Sequence, residues 1–199
     1  PSVDSEVFDN ILFENGDGIS ITGTSPPKRH FVHDNTIFNI SSTGIVIDPG
    51  ADNIIRNNTI ENITFNGIAL GSATSGNNTI TGNSIRNTDQ GIRVVLSVPG
   101  NNEFSFNYLY DSRSYAFFSN VAENITAENN CWDISLKSRI PARIFDFFDN
   151  PAYGVVDFDP FLSGSDCGLE IGVNDIIPLQ VVENVDLVKE KTTLVRVTL

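Results

Sequence analysis

The chain has 199 residues, 40% of them hydrophobic, and its 12 Lys+Arg against 25 Asp+Glu leave a net charge of −13. That acidity excludes a nucleic-acid partner and an anionic membrane surface, both of which attract basic proteins. No apolar run approaches the roughly 20 residues of a membrane span.

The length fits one domain, or one domain plus a fragment. There is no Met, which reads as a processed product or a piece of a longer chain, and Asn occurs 23 times. Asn is poor in helix and strand interiors, so a specific device must place it. Segments starting at Asn10, Asn35, Asn58, Asn83 and Asn107 align, at intervals of 25, 23, 25 and 24 residues. They read NILFENGDGISI, NTIFNISSTGIVI, NTIENITFNGIAL, NSIRNTDQGIRV and NYLYDSRSYAFF. A second polar column follows at Glu14, Asn39, Asn62, Asn87 and Asp111. Then comes Gly18, Gly44, Gly67 and Gly91, with Tyr115 in that place in the last copy. A further start lies at Asn129 or Asn130.

Within each copy apolar residues recur at period two, the strand signature. The inward columns are Leu12, Ile37, Ile60, Ile85, Leu109, then Ile19, Ile45, Ile68, Ile92, then Ile21, Ile47, Leu70, Val94. Alternation turns Ser20, Val46, Ala69 and Arg93 outward, along with Phe13, Phe38 and Tyr110. A third short strand precedes the next Asn, as in 77–83 and 101–107. A repeat of three short strands cannot bury its apolar face alone, so it must stack on its neighbours. The expected fold is all-β: a right-handed single-stranded parallel β-helix of about five to six coils over 1–132. Asn tolerates the left-handed corner and its amide can bond the Asn of adjacent coils. A β-propeller fits worse, since its blades need about 40 residues.

These units resemble the parallel β-helix repeat of the pectate-lyase-like superfamily, specifically the NosD-like right-handed β-helix proteins. The resemblance covers about residues 5–132. NCWDIS and then 140–162 resemble the closing segment of such helices, giving a closing region at 133–175. The alternation in 176–199 resembles the opening strands of an immunoglobulin-like adhesion domain. The tail is then a truncated domain, a continuation of the solenoid, or a strand donated to a neighbour. The resemblance implies an extracytoplasmic module of a bacterial or archaeal surface protein and fixes no activity.

Several residues invite chemistry. Asp146, Asp149, Asp157 and Asp159 could act as an acid/base pair in glycoside hydrolysis or hold Ca²⁺. The plainer reading is turn-capping around a buried Phe145, Phe148, Phe158 and Phe161. His30 and His33 fall in PPKRHFVHDN, read as a surface loop, with no third donor to complete a metal site. Arg56, Arg86, Arg93 and Arg113 lie on separate columns, so no convergent basic site is visible. Cys131 and Cys167 suggest a disulfide in an extracellular chain. Asn39, Asn57, Asn62, Asn77 and Asn124 are N-glycosylation sequons, of which Asn77 and Asn124 sit in loops.

The sequence favours a non-catalytic extracellular module that spaces, adheres or self-assembles at the cell surface. Its partners are further copies, neighbouring domains or a polysaccharide, and no cofactor is called for beyond a conceivable calcium ion. Neither the start at Val3 nor the tail shows an obvious cap, which favours assembly. The rival is a carbohydrate-active lyase, epimerase or hydrolase, with Asp146, Asp149 or Asp157 beside Arg93 or Arg113.

Overall fold

A computed structural model describes residues 5–22, 29–71, 76–95, 101–134, 136–163 and 167. The chain divides into Pro1–Leu169 and Glu170–Leu199. The second unit, with the tail at 176–199, lies outside the described residues, as do Val3 and the start of the chain.

Five coils of three strands follow one another. They are β1 (Ser5–Phe8), β2 (Ile11–Phe13), β3 (Ile19–Ile21); β4 (His30–His33), β5 (Thr36–Ile40), β6 (Ile45–Ile47). Next come β7 (Ile54–Arg56), β8 (Thr59–Ile63), β9 (Asn66–Leu70); β10 (Thr79–Thr81), β11 (Ser84–Arg86), β12 (Gln90–Val94); β13 (Glu103–Ser105), β14 (Tyr108–Tyr110), β15 (Tyr115–Ser119). Then follow β16 (Ile125–Thr126), β17 (Cys131–Trp132), a 3-10 helix at Lys137–Arg143, β18 (Ile144–Phe145) and β19 (Val156–Asp157). Each strand pairs in parallel with its equivalent one coil away. This builds a first sheet β1-β4-β7-β10-β13, a second β2-β5-β8-β11-β14-β17 and a third β3-β6-β9-β12-β15-β18. The chain is therefore a parallel β-solenoid.

Register follows the inward columns. Ile37, Ile60, Ile85 and Leu109 stack on one another, as do Ile45, Ile68, Ile92 and Phe117, and all are fully buried. Each such side chain contributes about 1.5–3 kcal/mol by leaving water. A slip of one residue would turn every one of them outward.

Single-residue corners set the path. The left-handed conformation occurs at Asp9, Asp34, Asn57, Phe106 and Asn129 before the second sheet, with φ of 53–57°, and at Gly82 with 66°. It recurs at the far end of that sheet, at Asn39 and Asn62 inside β5 and β8 and at Glu14, Asn87 and Asp111 just past their strands, with φ of 50–56°. Asn and Asp enter this region at low cost, which accounts for the second polar column. The residue after each first corner is the ladder Asn, exposed at Asn10 and buried from Asn35 to Asn130. Oδ1 of Asn35, Asn58, Asn83, Asn107 and Asn130 each accepts the backbone N–H and the Nδ2 of the ladder Asn one coil earlier, at 2.8–3.1 Å. Asn130 is thus the ladder member and Asn129 the corner.

A second ladder, invisible as such in the sequence, runs through the buried Asn53 and Asn78 to the half-buried Asn102. Each of its members also follows a left-handed residue: Asp52, Asn77 and Asn101. Its first rung ends on the backbone N–H of His30, 2.9 Å from Asn53 Oδ1.

Four expectations change. Tyr115 is not in the Gly column: Gln90 pairs with Tyr115, so Gly91 faces Ala116. His30–His33 is strand, not surface loop. Phe148 is 78% exposed and Phe145, Phe158 and Phe161 are only half-buried, because the loop folds around Asp146 instead. Finally, part of the closing segment is itself a coil. β16 pairs in parallel with β19, Cys131 bridges Leu162, and Leu162 N–H donates to Asn130 O as Cys131 N–H donates to Asn107 O. Phe161 takes the place of the next ladder Asn, so this last turn lacks the sequence mark of the others.

Candidate ligand-binding face

The expected site residues disperse. Asp146 is buried and caps its own loop: Oδ1 accepts Phe148 N–H at 3.0 Å and Oδ2 accepts Val156 N–H at 2.9 Å. Asp149 Oδ2 accepts Asp146 N–H, Asp157 Oδ1 accepts Asp159 N–H, and Asp159 pairs with Lys137 at 2.5 Å. Arg93 lies on the third sheet with its guanidinium 5.2 Å from the centre of the Phe118 ring. Arg113 braces a corner by donating to the carbonyls of Ile63 and Thr64. No hydrogen bond or ion pair among the described residues joins either arginine to those carboxylates, and no cluster of three metal-capable acids, histidines or cysteines occurs among them.

Cys131 and Cys167 form a disulfide with Cα atoms 5.6 Å apart. The sequons fall on different devices. Asn39 and Asn62 belong to an exposed amide ladder in which Asn62 Nδ2 donates to Asn39 Oδ1 and Asn87 Nδ2 to Asn62 Oδ1. Asn57 is a left-handed corner that helps hold the Asp34 carboxyl below its ordinary value, Asn124 Oδ1 accepts Val155 N–H, and Asn77 is an exposed left-handed corner.

His33 joins the first two coils. Its ring stacks on Phe8, and its Nε2 lies 2.8 Å from Glu6 Oε1 while Nδ1 lies 2.5 Å from Asp34 Oδ2. Hydrogen bonding to Asp34, then to Glu6, raises its pKa above the ordinary 6.5 against the opposing effect of burial. The same bond to His33 holds Asp34 below its ordinary value. His30 stands three positions away on β4, and alternation puts it on the opposite face.

The outer face of the second sheet, to which alternation assigned Phe13, Phe38 and Tyr110, also carries Glu61 and Arg86, which the sequence reading did not place there. Two columns run along it: Ile11, Thr36, Thr59, Ser84, Tyr108, and Phe13, Phe38, Glu61, Arg86, Tyr110. Phe13 and Phe38 stack with ring centres 5.4 Å apart. Arg86 Nη2 donates to Glu61 Oε1 at 2.5 Å, and Tyr110 stands on the far side of Arg86. Between them lies a shallow trough of about 430 Å³, lined by Thr59, Glu61, Ser84, Arg86, Tyr110 and Asp111. The Tyr110 hydroxyl is buried without a hydrogen-bond partner among the described residues. Burial, then Tyr108 and Asp133, raises its pKa, so it stays a neutral donor. Stepping one residue past each of Ile60, Ile85 and Leu109 would have revealed Glu61, Arg86 and Tyr110 as one column.

Residues 1–140 match the family described as periplasmic copper-binding protein (NosD). No curated protein and no solved structure matches the chain. Copper favours imidazole, thiolate and thioether donors. Here Glu6 and Asp34 hold opposite edges of the His33 ring and cannot converge with it on one ion, and both cysteines are bridged. These residues do not fit a copper ion. No helix of the described residues is long and apolar enough to cross a membrane, and the disulfide suits an oxidising compartment.

Proposed function

Because the chain belongs to the NosD family of right-handed β-helix proteins, we propose that it is a rigid, non-catalytic module on the outside of the cell that holds a neutral polysaccharide. The trough on the second sheet carries this reading. It offers a carboxylate, a guanidinium, two small hydroxyls and the Tyr110 ring on one face. Sugars present a dense array of hydroxyls, and such sites pair apolar surface with a few fixed polar groups. Coils repeat every ~4.8 Å, so a linear chain lying along the solenoid axis meets the two columns coil after coil. The charge of −13 argues against an acidic polymer.

The test is retention on insoluble neutral polysaccharides, followed by affinity electrophoresis. Tyr110→Ala and Arg86→Ala should each weaken binding tenfold or more, about 1.4 kcal/mol, without moving the unfolding midpoint comparably. Retention unchanged in both variants, or absent in the parent on every polymer tried, refutes the assignment.

A further inference from the structure

We infer that this chain is a copper-free member of its family, whose His33 and two cysteines have been given over to holding the solenoid together and whose His30 stands alone. The inference concerns every side chain in the 199 residues that copper prefers. Soft and borderline donors number four: His30, His33, Cys131 and Cys167, and there is no Met. All four lie among the described residues.

Each is accounted for by geometry. Cys131 and Cys167 are joined as a disulfide, and a disulfide sulfur has lost the thiolate that binds metal. Cys131 is fully buried and Cys167 nearly so. His33 is 9% exposed and has a carboxylate at each ring nitrogen, Glu6 at Nε2 and Asp34 at Nδ1. A metal at either nitrogen must displace a charge-assisted bond, and the two carboxylates cannot both follow it, because they sit on opposite ring edges. His30 is left as one imidazole on the other face of β4, three residues from His33. A lone imidazole is not a site. The remaining candidates are carboxylates, which suit magnesium, calcium and manganese better than copper. Where a copper carrier spends such residues on metal, this chain spends one histidine on a clasp between coils and both cysteines on a staple at the last coil.

Metal binding by the purified chain tests this directly. The chain is dialysed against Cu(II), and separately against Cu(I) under conditions that spare the disulfide, each with a competing chelator of micromolar affinity. Bound metal is read by elemental analysis and nitrogen coordination by electron paramagnetic resonance of the Cu(II) sample. The expected result is no stoichiometric copper and no rise in unfolding midpoint on adding it. One retained equivalent overturns the inference, whether or not His30→Gln or His33→Gln abolishes it. The two variants then tell an imidazole site from an oxygen one. Polysaccharide retention is measured on the same samples, so failure of this inference and failure of the proposed function are read independently.

Discussion

Oδ1 of Asn83 accepts both the backbone N–H of Asn58, at 3.0 Å, and its side-chain Nδ2, at 2.9 Å. Asn83 Nδ2 in turn donates to Asn107 Oδ1, Ile55 O and Thr81 O, at 3.0–3.2 Å. One fully buried amide therefore serves three successive coils. Asn83→Ala strands several buried partners at once, and each orphaned group costs about 1–3 kcal/mol. The expected loss is about 3 kcal/mol or more in a urea titration, against under about 1 kcal/mol for Asn10→Ala at the exposed first rung. Equal losses at both positions would show that the ladder is not what holds the coils.

The His33 clasp makes stability depend on pH in a defined direction. The folded His33 holds its proton above the ordinary 6.5, so its contribution is complete below that value. It disappears as pH rises through the raised folded value. Asp34 is depressed below 3.8; its contribution is present above 3.8 and disappears as pH falls through the folded value. Melting curves of the parent and His33→Gln should differ most between those limits, near about pH 5, and converge in alkali. A difference that is flat from pH 5 to 9 would count against the clasp.

Gly67 stands where the backbones of neighbouring coils approach closely. A Cβ there would collide with Ile85 Cγ2 and come within 2.6 Å of Gly91 O, neither of which can withdraw. Gly67→Ala should cost about 1–3 kcal/mol by overpacking, measured by chemical denaturation. An equal melt for parent and variant would mean the coils can spread apart.

The disulfide closes a loop of 36 positions onto the last regular coil. Constraint of the unfolded chain is worth about 3–4 kcal/mol on that span. Replacing both cysteines by Ala should lower the midpoint accordingly and increase hydrogen exchange first around Cys131 and Leu162. Exchange that increases first in the coils before Asn83 would place the weak point elsewhere.

Much of this architecture is legible in the residues because the coils repeat. A buried column must be apolar in every copy, so Ile37, Ile60 and Ile85 announce one another. What escaped lacks that redundancy. The second ladder hides in the doublets Asn77-Asn78 and Asn101-Asn102, where the first residue turns the corner and the second bonds the neighbouring coil; identical letters conceal opposite roles. The step from Asp111 to Ala116 is five residues, as from Asn62 to Gly67, while that from Asn87 to Gly91 is four, so counting from the ladder Asn set Tyr115 against Gly91 one place early. The final turn has Phe161 where an Asn would signal it. The trough of Glu61, Arg86 and Tyr110 was overlooked because outward positions need not repeat, so its chemistry appears only when coils are laid side by side.

The amide ladder also has a direction. From Asn35 to Asn107 each ladder amide turns its oxygen toward the Asn of the coil before and one Nδ2 N–H toward the Asn of the coil after. The dipoles therefore add, and each bond polarises the next. A coil can then be duplicated in place, for instance residues 58–82, and the copy will find donors below and acceptors above. A coil entered in the reverse sense finds like facing like. Growth of such a protein is thus quantised in whole turns and permitted in one orientation only, a grammar written by a single side-chain amide.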